Sequence, residues 1–179
     1  MMHPQLKIAI SGKSGCGNTT LTRIVSQTLD LRMINYTFRN MAQEMDVELS
    51  ELLKRAETDT SLDKTLDKRQ VELAKDGRCV LGSRLAIWLL TDAHLKVFLT
   101  ASPEIRAARI FQREGGDFAK VYQDTIQRDL HDRERYRKLY GIDNDEFDFA
   151  DLVIDTSHRL PEMMLEDIIY ALRIKKFLH

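Results

Sequence analysis

The sequence predicts an α/β fold built on a parallel sheet. Apolar, β-rich runs recur along the chain, and a helical pattern separates each run from the next, as crossovers between parallel strands require. With 179 residues, 43% of them hydrophobic, the chain matches one domain with a sizeable core.

Taken in order, Leu6 to Ile10 reads as the first strand, and Ser11 to Gly17 as a loop of small residues. Thr19 to Leu29 has helical periodicity, with Leu21, Ile24, Val25 and Leu29 on one side. Arg32 to Asn35 is a short second strand, Cys79 to Gly82 a third, Leu95 to Leu99 a fourth and Leu152 to Asp155 a fifth. Between strands two and three, the stretch from about Phe38 to Asp76 is too long for a plain crossover and reads as an inserted helical lobe ended by Gly77. Ser102-Pro103-Glu104 supplies a cap, a proline at the first helical position and an acid near the dipole, and Gly115-Gly116 stops that helix. A charged helix then runs from about Asp117 to Tyr140, closed by Gly141, and Pro161 opens a last helix to Phe177. No repeat or linker interrupts residues 1–179, so a single domain is expected.

Charge and cysteine content narrow the class. Lys plus Arg (27) nearly cancels Asp plus Glu (28), so no global basic field argues for nucleic acid. Arginines crowd residues 104–140 instead, which points to a small anionic ligand. Cys16 and Cys79 lack metal-ligand spacing and read as reduced thiols; with no apolar run of spanning length and no leader-like start, a soluble cytoplasmic protein is expected.

The segment Gly12-Lys13-Ser14-Gly15-Cys16-Gly17-Asn18-Thr19-Thr20 follows a strand and opens a helix, the context of a phosphate-binding loop. Glycines let backbone N–H groups curl around phosphate oxygens, the helix N-terminus adds partial positive charge, and the Thr19 hydroxyl can ligate Mg²⁺. The spacing matches GxxxxGK[ST] except that Asn18 stands at the lysine position. Asparagine keeps a donor and loses the charge. Lys13 either compensates from the second loop position or is an exposed loop lysine.

The chain resembles the cytidylate kinases among the nucleoside-monophosphate kinases, and most of all their short, archaeal-type branch. The resemblance spans Ile8 to about Ala171 and is carried by Phe38-Arg39-Asn40-Met41-Ala42, Asp67 to Ala74, Ser83-Arg84-Leu85-Ala86, Arg128 to Tyr136 and Tyr140 to Asp143. It implies a three-layer P-loop fold with five parallel strands, a monophosphate-binding insert over about residues 38–76, and an Arg-rich lid and helix over about 109–135. It also implies ATP as phosphoryl donor, Mg²⁺, and CMP or dCMP as acceptor. Residue by residue, it implies that Arg39 and Arg84 grip the acceptor phosphate, that Arg128 bridges the transferred phosphoryl group, and that Asp132 holds the sugar. By the same resemblance Arg135 reaches phosphate, and Arg109 and Arg113 attend the ATP base and phosphates. Arg128, Asp132 and Arg135 are four and three residues apart, which places them on one helix face.

Two departures fall on the Mg–phosphate centre: Asn18 in the loop, and Gly82 where the family carries a strand-end acid, with Asp92 and Asp155 near later strand ends as candidate substitutes whose positions do not match the family's. Asn35-Tyr36-Thr37 also replaces an expected small-residue turn. These departures raise a second reading, a catalytically weakened nucleotide-binding regulatory protein on a kinase scaffold. A second-position lysine sometimes acts across a dimer, so monomer and homodimer both stay open. The histidines show no ligand spacing, Trp88 reads as apolar packing, Cys16 reads as open to oxidation at a helix start, and Asp143 to Asp148 read as a solvated loop.

Overall fold

The computed structural model describes residues 2–178; Met1 and His179, the ends of the expected domain, lie outside the described residues. Five strands form one all-parallel sheet in the order β2-β3-β1-β4-β5: β1 Lys7–Gly12, β2 Arg32–Ile34, β3 Cys79–Gly82, β4 Leu95–Thr100 and β5 Leu152–Asp155. β1 is central and buried throughout, as an apolar run packed on both faces should be.

Alternation along the strands sorts the core into two layers. Ile8 and Ile10 of β1 join Val80, Val97, Leu99 and Ile154 on one face, covered by α1 (Asn18–Thr28) and α8 (Pro161–Ile174). Ala9, Leu81 and Phe98 face the other way, against Ala74, Ala86 and Ile87. Ala86 and Ile87 belong to α5 (Ala86–Leu89), where Trp88 packs edge-on against Phe98 and Phe149.

The expected helical lobe is three helices: α2 (Phe38–Glu44), α3 (Leu49–Ala56) and α4 (Ser61–Ala74). They enclose a small core of their own, with Leu52 fully buried among Tyr36, Met41 and Ala42. After β4 come α6 (Pro103–Glu114) and α7 (Phe118–Tyr140), separated by Gly115-Gly116. α6 carries the expected cap, Ser102 Oγ accepting from the Ile105 N–H, and α7 has one that the sequence reading did not name, Asp117 Oδ1 accepting from the Lys120 N–H. Among the described residues no helix is long and apolar enough to cross a membrane.

Candidate active site

At the C-terminal edge of the sheet, residues Gly12–Thr20 wrap the start of α1 and form one wall of a cleft of about 680 Å³. Gly17 precedes α1 in a left-handed conformation, no side chain caps the helix, and its first turn holds no acid. The first N–H groups of α1 therefore lie open to an anion. Gly15 has φ +85°, and a Cβ there would lie 2.8 Å from the Arg106 Cβ and backbone oxygen, so only glycine lets the loop rest on α6.

Asn18 does not face outward as a phosphate donor would. Its Nδ2 donates to the Gly12 carbonyl at 2.7 Å, and its Oδ1 is buried without a partner. The residue at the lysine position thus braces the loop from within. Lys13 is an ion-paired lysine and not a free one: its Nζ lies 2.5 Å from Asp145 Oδ1 and 3.9 Å from Asp129 Oδ2. Cys16 is buried, and burial raises its thiol pKa to about 11, which removes the thiolate that the expected oxidation sensitivity needs.

The missing acid at Gly82 has a steric reason. A Cβ there would meet the Thr22 Oγ1 of α1 at 2.2 Å, so no acidic side chain fits. Neither substitute reaches the site. Asp92 pairs with Lys7 at 2.7 Å, at the opposite end of β1, and Asp155 is turned to the Ser157 N–H. Ser83, next to Gly82, lines the cleft with a buried hydroxyl that has no partner. Thr19 lines the cleft too and is exposed. The described residues contain no group of three His, Cys, Asp or Glu able to hold a metal. This donor set still fits Mg²⁺, which prefers oxygen ligands and keeps several waters.

The three α7 residues share one face and reach three different partners. Arg128 donates to Ser14 Oγ at 3.3 Å, Asp132 pairs with Arg84 at 3.1 Å, and Arg135 pairs with Asp63 of α4 at 3.0 Å. Arg84 follows β3, so α7 spans the loop, the strand end and the insert. Tyr140 adds a second tie to the insert, donating to Asp67 Oδ2 at 2.6 Å. Arg109 lines the cleft, with its guanidinium on the Gly15 carbonyl at 3.2 Å and on Thr156 Oγ1 at 2.8 Å. Arg113 lines it as well, exposed and paired with Glu114 at 2.5 Å. Arg39 is not brought to the cleft: it is exposed on α2 and forms no salt bridge among the described residues. The chain around Asp143 is anchored and not merely solvated, since Asp143 is buried against Arg133 and Arg137. His3 and His94 meet far from the cleft, their ring centroids 4.6 Å apart, and each Nδ1 accepts a backbone N–H.

The structure adds cleft residues that the sequence reading passed over. Asp63 and Gln70 of α4 are each 4% exposed, and Asp63 Oδ2 and Gln70 Oε1 have no partner. Gln70 Nε2 donates to the Tyr36 carbonyl at 2.8 Å, which turns its oxygen the other way. Arg135 Nε is also buried and unpaired. A buried polar atom without a partner is costly, so this group marks a ligand surface. Arg159, salt-bridged to Asp167, lines the far end. In α6, Arg106 is 2% exposed, bound to Ser14 O, Ala101 O and Asp129. Its signal in the sequence was its place on the same helical stripe as Ala107 and Ile110.

Comparison with known proteins agrees with this geometry. The model of the cytidylate kinase-like family matches residues 7–158. A cytidylate kinase 2 from Borreliella afzelii (strain PKo) is 44% identical over 157 residues, covering 86% of this chain and 88% of the relative. A cytidylate kinase from Pyrococcus horikoshii is 37% identical over 164 residues, covering 90% and 85%. Among solved structures, a shikimate kinase from Bacteroides thetaiotaomicron superposes with a TM-score of 0.66 at 15% identity, covering 94% of this chain and 98% of that one, a likeness of fold alone. Nothing in these comparisons supports the weakened binding protein raised as the second reading. The phosphate-binding loop, the sheet order and these relatives together place the chain in the cytidylate kinase-like family.

Proposed function

We propose that the protein transfers the γ-phosphoryl group of ATP to CMP or dCMP, giving ADP and CDP or dCDP. The observation that carries the reading is the cleft itself: the open loop Gly12–Thr20 forms one end, and on the insert side Asp63 Oδ2, Gln70 Oε1 and Arg135 Nε stand buried without partners. Donor phosphates lie on the loop amides, with Arg109 and Arg113 toward the donor base. Acceptor phosphate lies toward Arg84 and Arg135, and Arg128 bridges the two. Asp132 holds the acceptor sugar through its edge of the Arg84 pair. When bound, Mg²⁺ would neutralise charge on the donor phosphates, and the Thr19 and Ser83 hydroxyls are the residues that would hold it, directly or through water.

An oxygen of the acceptor phosphate attacks the γ-phosphorus in line, and the bond to the β–γ bridging oxygen breaks. Such a transfer needs positioning and charge stabilisation more than a strong base, which suits a site built of arginines. Lys13 reaches the donor phosphates by exchanging Asp145 for a phosphate oxygen.

The insert supports cytosine over uracil. Asp63 Oδ2 and Gln70 Oε1 are both acceptors, matching the exocyclic amine of cytosine and opposing the O4 of uracil. A coupled assay with Mg-ATP and CMP, dCMP, UMP, AMP or GMP tests the proposal. Turnover of CMP or dCMP well above UMP is expected; no turnover of any acceptor at high enzyme concentration would sink it.

A further inference from the structure

Arg106 is among the largest fully buried side chains of the protein, yet it carries a full charge. Every contact it makes joins two separate pieces of chain. Its Nε donates to the Ala101 carbonyl just beyond β4, at 3.2 Å. Its Nη1 donates to the Ser14 carbonyl in the phosphate-binding loop at 3.1 Å, and to Asp129 Oδ1 on α7 at 3.0 Å. Its Nη2 closes the fork on Asp129 Oδ2 at 2.5 Å. The same Asp129 Oδ2 also lies 3.9 Å from Lys13 Nζ. A buried ion pair is a poor source of stability, because desolvation cancels most of its attraction and apolar replacements often do as well. What the fork supplies is orientation, since a planar guanidinium fixes a carboxylate by two parallel bonds.

We propose that Arg106 and Asp129 are positioning residues that latch the Arg-rich helix α7 to the donor loop. The inference rests on the kinase reading above. Neither residue lines the large cleft, so each acts through another. Arg106 holds the Ser14 carbonyl and so the tilt of the loop amides. Asp129 fixes the register of α7 at the residue beside Arg128, whose guanidinium lies 3.3 Å from Ser14 Oγ. The latch therefore sets the distance between the loop that holds the donor phosphates and the arginine that bridges them to the acceptor. At the Gly115-Gly116 end the two helices meet through the edge-on pair Phe111–Phe118, with no ion pair between them among the described residues.

The experiment uses Asp129→Asn, with Asp129→Glu as the conservative control and Arg106→Lys as the second arm, since lysine keeps the charge and loses the fork. Steady-state kinetics, Tm and hydrogen exchange of residues 13–19 in the free protein are measured together. For Asp129→Asn, kcat at saturating ATP and acceptor should fall on the order of 10- to 100-fold, the scale of a sub-ångström to ångström misplacement. KM for the acceptor should stay within about twofold, loop exchange should accelerate, and Asp129→Glu should recover part of kcat. If kcat for Asp129→Asn stays within about twofold of wild type, or loop exchange is unchanged, the latch is wrong. If Arg106→Lys fails to fold, Asp129→Asn alone decides. If wild type itself turns over no nucleotide, the kinase reading fails, and loop exchange in Asp129→Asn still decides the latch.

Discussion

At Gly82 and Thr22, two small side chains pack so closely that a single methyl group would overlap: its carbon would lie 2.2 Å from Thr22 Oγ1 and 3.0 Å from Thr22 Cβ and Cγ2. Both atoms are in the core where α1 crosses β3, and neither backbone can retreat without moving the phosphate-binding loop. Gly82→Ala should therefore destabilise the protein by about 1–3 kcal/mol, the usual range for overpacking. The check is a lowered denaturant midpoint at unchanged slope. The acceptor side offers a second test at one residue. Burial pushes the Asp63 carboxyl above the usual carboxylate range, and the Arg135 guanidinium opposes that shift. The ionised form accepts the cytosine amine. As pH falls through this raised pKa, the carboxyl protonates and the acceptor is lost, so KM for CMP should rise on the acid side sooner than an ordinary aspartate would allow. Asp63→Asn should remove that acid limb and narrow the preference for CMP over UMP. A pH series of acceptor KM for both proteins reads the outcome, and identical profiles would refute the assignment.

Among the elements, the insert stands apart because it has its own core. Leu52 is fully buried there, while the sheet layers are filled by other residues. Leu52→Ala should cost about 2–5 kcal/mol of local packing. Because α4 carries Asp63 and Gln70, it should raise acceptor KM more than donor KM, measurable by varying one substrate at saturating levels of the other. The loop after α7 is governed by charge. Arg133 and Arg137 hold the Asp143 carboxyl well below its ordinary range. A depressed carboxylate contributes stability that is present above the unfolded pKa of about 3.9 and lost as pH falls toward the folded value. Asp143→Asn should lower Tm at neutral pH, with the difference shrinking below about pH 4 in paired thermal melts. The strands β1, β3 and β4 were legible because buried, largely apolar runs admit few other readings, whereas β2 and β5 are short and partly exposed. The division of residues 38–76 was not: no glycine or proline marks the break at Asp46, which takes φ +54° as a non-glycine residue. The loop around Asp143 looked solvated for a related reason, since its partners lie six and ten residues away in sequence on α7.

Across the whole molecule, charge is separated by place and not by amount. The net charge is −1, yet the cleft lining holds Lys13, Arg84, Arg109, Arg113, Arg135 and Arg159 against Asp63 and Asp67. Here sequence reading reached part of the way. The loop and the α7 triad show themselves by local spacing, because three residues on one helix face must point together. Asp63, Gln70 and Arg159 become visible only when distant segments meet, and although Arg106 shares a stripe with Ala107 and Ile110, nothing local says that it is buried where Arg109 and Arg113 of the same helix are half-buried and exposed. The partial pairing of cleft arginines with Asp132, Asp63 and Glu114 keeps the empty site from repelling itself. A nucleotide carrying two or more negative charges should still be drawn in by the excess of cations, focused by the low-dielectric walls. That attraction is screened over about 10 Å at 0.1 M salt and about 30 Å at 0.01 M. Raising NaCl from about 0.02 to 0.3 M should therefore lower kcat/KM for CMP several-fold while leaving kcat nearly constant. The direction is opposite to what a net-negative protein would show toward an anion if total charge governed the encounter. Initial-rate kinetics across that salt range decide between them, with KM for CMP falling as salt rises being the result that would assign control to net charge.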